Sequence, residues 1–192
     1  MIFFIMLVRI SLSYQQIDLF SGYHQIPMHS VDKDITCFTT IYGNFNFEAM
    51  PFGLCNAPAT FQREMNRIFF DLIGVCIFIY IDDLVIYSPS LEQHINDIGK
   101  VFGILSENGL KVNFEKCHFI QEEVELLGHT LSTKGLKPIV SKVEVIANWL
   151  SSNLKQLRSF LGAIGYYRKF INHFAQIAKP LYELTKKDVP FL

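Results

Sequence analysis

Tyr80-Ile81-Asp82-Asp83 stands between Val75-Cys76-Ile77-Phe78-Ile79 and Leu84-Val85-Ile86-Tyr87. The flanking runs are β-branched and aromatic, so the stretch reads as two buried strands joined by a tight turn. Its turn chemistry is unusual. Two-residue hairpin turns favour Asn-Gly or Asp-Gly, where positive φ costs little, and Asp82-Asp83 supplies no glycine. Adjacent carboxylates against apolar strands also repel one another and resist desolvation. A hard divalent cation such as Mg²⁺ answers both objections, because carboxylate oxygens are what it takes. An acidic turn open to water answers them too, and the four residues alone do not decide between the two.

Upstream, Gln16-Ile17-Asp18-Leu19-Phe20 is a short apolar run that holds one carboxylate and is broken by Ser21-Gly22. Thr36-Cys37-Phe38-Thr39-Thr40 and Phe45-Asn46-Phe47-Glu48 predict a hairpin around Tyr42-Gly43-Asn44. Asn56-Ala57-Pro58 has the chemistry of a helix start. Phe61, Met65, Ile68, Phe69 and Leu72 then make one apolar helix face that ends near Gly74. Downstream, Ser90 and Gln93 form a capping box before a helix buried through Ile95, Ile98, Val101, Phe102 and Leu105. Gly109 closes that helix, and Leu110-Lys111-Val112-Asn113 reads as a strand.

The order is strand, helix, hairpin, helix, strand, with a further hairpin inserted after the first strand. That is the split β-α-β-β-α-β pattern of an α+β fold. It makes the first strand a neighbour of the central hairpin, so Asp18 comes beside Asp82 and Asp83. Three carboxylates converging from non-adjacent strands form a metal-site geometry.

The rest of the chain is different in character. Val124–Leu131 gives further strand, and Lys134-Gly135 a turn. Ser141 and Glu144 form a second capping box before Val145, Ile146 and Trp149. Leu154, Leu157, Phe160, Leu161 and Ile164 mark another helix, and Ile177, Leu181 and Leu184 a last one interrupted at Pro180. Residues 136–192 therefore read as a small helical domain. It is basic, with 9 Lys/Arg against 3 Asp/Glu, whereas residues 1–135 carry 8 against 15. Such asymmetry points to nucleic acid or a membrane surface on the basic half, unless it is an ordinary solvated face.

Composition narrows the class further. Half of the 192 residues are hydrophobic and 18% are charged, which describes a globular chain. Cys37, Cys55, Cys76 and Cys117 lie far apart, with neither zinc-ligand spacing nor a secreted disulfide framework. The apolar opening Met1–Val8 is too short to span a bilayer and lacks the basic leader and cleavage site of a signal peptide. It reads as a stray strand or a replaced N-terminus.

Five motifs now stand in order: Ile17-Asp18-Leu19-Phe20-Ser21-Gly22-Tyr23-His24-Gln25-Ile26, Met50-Pro51-Phe52-Gly53-Leu54, Asn56-Ala57-Pro58-Ala59-Thr60-Phe61-Gln62, Tyr80-Ile81-Asp82-Asp83 and Leu126-Leu127-Gly128-His129. Together they resemble the reverse transcriptase of Gypsy-like long-terminal-repeat retrotransposons. Leu157-Arg158-Ser159-Phe160-Leu161-Gly162 through Gly165-Tyr166-Tyr167-Arg168-Lys169-Phe170 resembles that family's thumb. The resemblance covers residues 15–190, and several motifs at compatible spacing make it specific.

It implies a right-hand polymerase, with a palm and a remnant of the fingers over 15–135, a thumb over 136–192 and a non-family stretch at 1–14. By the family's motifs, Asp18 and Asp82 bridge two Mg²⁺ ions (Mn²⁺ as a substitute), Asp83 supports them, and the Leu19 backbone joins the metal shell. The main chain at Leu19 and Phe20 faces the triphosphate. Tyr23 gates the sugar, where a core aromatic is the plain alternative, and Phe52 lines the nucleotide pocket. Leu127, Gly128 and His129 match the primer grip. Lys116 falls near the family's loop lysine, although a solvated lysine suits that position better.

Arg158, Gly162 and Tyr166 share one helix face, with Gly162 serving either a nucleic-acid groove or a packed neighbouring helix. Lys155, Arg168, Lys169 and Lys179 add phosphate contacts. The implied partners are an RNA or DNA template with its primer, dNTPs and other parts of a Pol polyprotein, with no membrane. The implied setting is a cytoplasmic virus-like particle.

Departures from the family pattern add expectations. Only 17 residues precede Asp18, with Arg9 the sole basic one, so the fingers' triphosphate clamp is expected to be missing. Residues 34–38 look two residues short, and the Trp149–Ser152 linker lacks the family's prolines. A truncated or decaying copy, or a piece of a longer polyprotein, is the expectation. A non-catalytic nucleic-acid-binding remnant is the alternative.

Overall fold

The computed structural model describes residues 13–187 and 189–190, so the expectations for Met1–Val8 and Arg9 lie outside the described residues. Two compact units form. One holds the residues up to Val124 with Ser132–Lys134, and the other holds Glu125–Leu131 with the residues from Gly135 onward.

The first unit is built on a four-stranded sheet in the order β4-β5-β1-β6. Its strands are β1 (Ser13–Ile17), β4 (Ile77–Tyr80), β5 (Asp83–Ser88) and β6 (His118–Gln121). β5 pairs antiparallel with both β4 and β1, matching Ile77 to Ile86, Ile79 to Leu84 and Ile17 to Leu84. The expected adjacency of first strand and hairpin is therefore present. Because side chains alternate along a strand, these isoleucines and leucines share one face. Over that face pack Ala57, Phe61 and Met65 of α1 (Ala57–Ile68) and Val101 and Leu105 of α2 (Leu91–Glu107). A separate hairpin, β2 (Phe38–Thr40) and β3 (Gly43–Phe45), precedes α1.

Several boundaries differ from expectation, each for a local reason. The closing strand of the sheet is His118–Gln121, while residues 110–113 contribute one bridge, Leu19 to Val112. Leu110 is used otherwise, since its N–H caps α2 on the Leu105 carbonyl. α1 stops at Ile68 rather than near Gly74, because the Leu72 carbonyl takes the N–H groups of Cys76 and Ile77 and turns the chain into β4. The inserted hairpin turns at Ile41-Tyr42, one residue earlier than expected. Ser90 accepts from Gln93 N–H as expected, yet the Gln93 side chain reaches forward to Asp97 instead of closing the box.

That bond belongs to a buried polar cluster the periodicity did not reveal. His94 and Asp97 are buried on α2, whereas Ile95 is exposed. Ser88 Oγ donates to Asp97 Oδ2 at 2.9 Å and lies 3.1 Å from His94 Nδ1.

β7 (Glu123–Leu126), β8 (His129–Ser132) and β9 (Gly135–Pro138) form a three-stranded sheet in that order. The helices of the second unit are α3 (Val140–Ala147), α4 (Leu154–Tyr166) and α5 (Phe174–Glu183). Ile139 caps α3 and Ser141 sits inside it, so the second capping box does not form and Val145 is exposed. Asn153 caps α4 instead, accepting Gln156 N–H at 3.0 Å. Leu157 and Leu161 are buried as their spacing predicts. α5 runs through Pro180 without interruption.

Candidate active site

The turn between β4 and β5 is Ile81-Asp82, not Asp82-Asp83, and Asp83 is the first residue of β5, opposite Tyr80. Ile81 takes φ 54°, where a β-branched residue is strained. α1 holds this turn. Gln62 Oε1 accepts Ile81 N–H at 2.7 Å, and Gln62 Nε2 donates to the Ile79 carbonyl at 3.3 Å and to Asn66 Oδ1 at 2.9 Å. Gln62 had drawn no role from the sequence. It follows the apolar Phe61 and counts as solvent-facing by period alone.

Asp18 immediately follows β1, and β1 lies beside β5. Its backbone is fixed by Asn113 N–H on its own carbonyl at 2.9 Å. The Asp18 charge bears on both of the other carboxylates. Burial raises Asp82 above the ordinary aspartate range, and the charges of Asp18 and Asp83 raise it further. Asp83 is raised by burial and by Asp18, against a bond donated by Gln16 Nε2 at 3.3 Å that favours its charged form. Among the described residues, no three carboxylate, imidazole or thiol groups stand close enough together to hold a metal ion as they are placed. What the structure shows is the electrostatic influence of Asp18 on Asp82 and Asp83, all three hard oxygen donors of the chemistry a divalent cation takes.

Around the trio stands an aromatic wall. Tyr23 meets Phe52 edge to face at 5.3 Å and Phe61 at 5.2 Å, and His24 meets Phe52 at 5.0 Å. Burial, then the charge of Asp82, raises the Tyr23 phenol. Tyr23 packs against the core from its edge while Phe52 stays exposed, so Tyr23 is wall rather than interior. Gly22 is buried, and a Cβ there would lie 3.1 Å from Asp82 Oδ1. Leu19 is buried, and the Phe20 N–H is engaged on the Lys111 carbonyl at 2.9 Å. Phe20 itself is exposed beside a cavity of about 480 Å³ lined with Ser21, His24, Gln25, Gly109 and Lys111.

In the second unit, Leu127 and Gly128 form the two-residue turn between β7 and β8, with φ 47° and 70°. Positive φ at both positions is the primed geometry of tight hairpins. Tyr166 Oη donates to the Leu127 carbonyl, and Tyr167 Oη donates to Gly128 at 3.1 Å. His129 Nδ1 lies 2.8 Å from the Leu127 carbonyl, as a donor, and its ring packs on Tyr166, Tyr167 and Phe170. Burial lowers the His129 pKa, the bond to Leu127 opposes that, and the charge of Lys169 adds to it. Tyr166 therefore latches this turn, a role its helix spacing did not announce.

On α4, Arg158 and Gly162 are exposed, and Arg158 Nη2 donates to the Thr185 carbonyl at 3.3 Å. A Cβ at Gly162 would meet nothing within 4 Å, which removes helix packing as the reason for this glycine. Lys155 and Arg168 are exposed, and Lys169 Nζ sits 4.9 Å from the Phe170 ring centroid.

The profile of the family described as reverse transcriptase (RNA-dependent DNA polymerase) matches residues 9–131. The chain is 43% identical over 175 residues to the retrovirus-related Pol polyprotein from transposon 297 of Drosophila melanogaster, covering 91% of this chain and 16% of that one. It is 37% identical over 176 residues to the counterpart from transposon gypsy of the same fly, covering 91% and 17%. The chain thus spans about a sixth of the length of these curated relatives. Among solved structures, the foamy viral protease-reverse transcriptase in complex with double-stranded DNA is similar with a TM-score of 0.83 at 30% identity. That match covers 91% of this chain and 31% of the other. The same viral protein in complex with an RNA/DNA hybrid gives 0.76 at 29%, covering 93% and 25%. The chain belongs to the reverse transcriptase (RNA-dependent DNA polymerase) family.

Proposed function

We propose that this chain carries the nucleotidyl-transfer site of an RNA-directed DNA polymerase, adding dNTPs to a primer 3′-hydroxyl on an RNA or DNA template. The observation that carries the reading is the coupling of Asp18, Asp82 and Asp83 across neighbouring strands. Carboxylates raised by burial and by a neighbouring carboxylate, as Asp82 and Asp83 are, are poised for a cation. Asp18, Asp82 and Asp83 would hold two Mg²⁺ ions, or Mn²⁺ in their place. When bound, such ions favour the alkoxide form of the primer hydroxyl and offset charge on the phosphates. The chain's own residues supply position. The ladder to Asn113 holds Asp18, Gln62 holds the Ile81-Asp82 turn, and Gln16 orients Asp83. Tyr23, set between Phe52 and Phe61, is the wall against which the nucleotide sugar would rest.

The second unit supports the nucleic-acid half of the reading. Leu127, Gly128 and His129 would hold the primer end, with Tyr166 and Tyr167 fixing that turn. The open face at Gly162 admits a duplex backbone, and Arg158, Lys155, Arg168 and Lys169 would contact phosphates. Both foamy viral structures contain nucleic acid, which supports the same partner here.

Primer extension on an RNA template with Mg²⁺, comparing wild type with Asp82→Asn, tests the proposal. Extension by the wild type that falls at least about a hundredfold in the variant is expected. Equal extension by both, or none by either, rejects it, and salt-dependent primer–template binding then isolates a purely nucleic-acid-binding role.

A further inference from the structure

The backbone ladder that holds Asp18 is incomplete in an informative way. Leu19 bridges Val112 antiparallel, flanked by Asn113 N–H on the Asp18 carbonyl and Phe20 N–H on the Lys111 carbonyl, each at 2.9 Å. In a regular ladder, Phe20 and Lys111 would exchange both of their bonds. Here the return bond is replaced. Lys111 N–H donates to Gln25 Oε1 at 2.6 Å, and Gln25 Nε2 donates to the Phe20 carbonyl at 2.8 Å. The second Nε2 hydrogen goes to the Lys111 carbonyl at 3.0 Å. One side-chain amide therefore stands where a peptide group would, with both donor hydrogens and its acceptor engaged.

The reason for the insertion lies in the next residue. Ser21 adopts φ 49° and swings the chain out of the ladder, and the 3-10 turn Gly22–Gln25 brings it back, with His24 N–H on the Ser21 carbonyl at 2.8 Å. Between those two points the loop carries Gly22 against the Asp82 carboxylate and Tyr23 against Phe52. The only side-chain clasp across its base, among the described residues, is Gln25.

We propose that Gln25 is a positioning residue, one that sets the path of the Asp18–Tyr23 loop and with it the seat of the incoming nucleotide. Its kinetic consequence rests on the polymerase reading above. Its structural consequence does not. The three bonds border an open cavity, so their loss loosens the loop without emptying the core.

Gln25→Ala and Gln25→Glu test this. The alanine variant is expected to raise the dNTP KM about tenfold with kcat within about threefold. Its melting temperature and primer–template Kd should match wild type, while amide exchange at Lys111 and Phe20 becomes faster. An ionised glutamate has no hydrogen to give the Phe20 and Lys111 carbonyls, but a protonated one regains a donor. Gln25→Glu should therefore resemble the alanine variant throughout pH 6–8, because the ordinary glutamate pKa of about 4.3 lies well below that range. Unchanged KM and exchange overturn the proposal. So does a KM defect that arrives together with weakened primer–template binding and a lowered melting temperature. If the wild type does not extend primers, the polymerase reading fails by itself, and exchange at Lys111 and Phe20 alone decides the role of Gln25.

Discussion

At Gly22, one missing methyl group protects one carboxylate. A Cβ there would stand 3.1 Å from Asp82 Oδ1 and 3.1 Å from Phe61 Cζ. Phe61 is wholly buried and cannot retreat, whereas Asp82 sits exposed on its turn and can. Gly22→Ala should therefore displace the Asp82 carboxylate before it disturbs the core. Primer extension should fall about tenfold or more while the melting temperature stays within about 2 °C of wild type. A melting temperature that collapses with activity would place the role of Gly22 in the core instead. The same neighbourhood shows what a sequence conceals. The Ser21-Gly22 break was visible, but its reason depends on a side chain 60 residues away. Gln62 and Gln25 act through bonds to distant backbone atoms, which leave no trace in hydrophobic period. The strained Ile81 could not be foreseen either, because the turn was read one residue too late.

Among the elements, α4 offers the cleanest separation of stability from binding. Glycine inside a helix costs about 1 kcal/mol relative to alanine, and Gly162 faces open space. Gly162→Ala should accordingly raise the melting temperature by about 2–4 °C. If a duplex backbone approaches this face, the added methyl should also weaken primer–template binding several-fold. Thermal melts and fluorescence anisotropy on one preparation read both effects, and tighter or unchanged binding would remove Gly162 from the interface. Elements with strong periodicity, α1 and the buried stripe of α4, were legible in the sequence, as was the placing of β1 beside the β4–β5 hairpin. The departures came where polar groups replaced apolar ones. α2 buries Val101 and Leu105 with Ile98 and Phe102 packed beside them as the spacing predicted, but in its first turns it turns His94 and Asp97 inward, where Ser88 bonds both, and leaves Ile95 outside. α3 is capped two residues early, at Ile139, which leaves Ser141 without a capping role.

For the whole molecule, the buried histidines set the acid limit of stability. Burial lowers the pKa of His94, with Asp97 opposing, and burial also lowers that of His129. A histidine whose folded pKa lies below its unfolded value of about 6.5 contributes stability that is present above that pH. That stability is lost as the pH falls toward the folded value. Asp82 and Asp83, raised by burial and by the charge of Asp18, act in the opposite direction at lower pH, where protonation relieves them. Between pH 7.5 and about 5.5 the histidines dominate, so the melting temperature should fall over that range, and His94→Leu should flatten part of the slope. A pH-independent melting temperature would mean that neither histidine stays neutral in the fold. The charge asymmetry of the sequence has a place in the same picture, because the basic residues 136–192 lie in the unit that carries Gly162 and the Leu127-Gly128 turn.

The central claim is that Asp18 and Asp82, distant in sequence, work as one site. Single-turnover incorporation of one dNTP on an RNA template tests it most directly, with wild type, Asp18→Asn and Asp82→Asn side by side. Residues that act as a unit lose activity to a common floor. Incorporation by the wild type, with both variants reduced to the same background rate, is the predicted result. A variant that keeps the wild-type rate, or a wild type that incorporates nothing with Mg²⁺ or Mn²⁺, would contradict it.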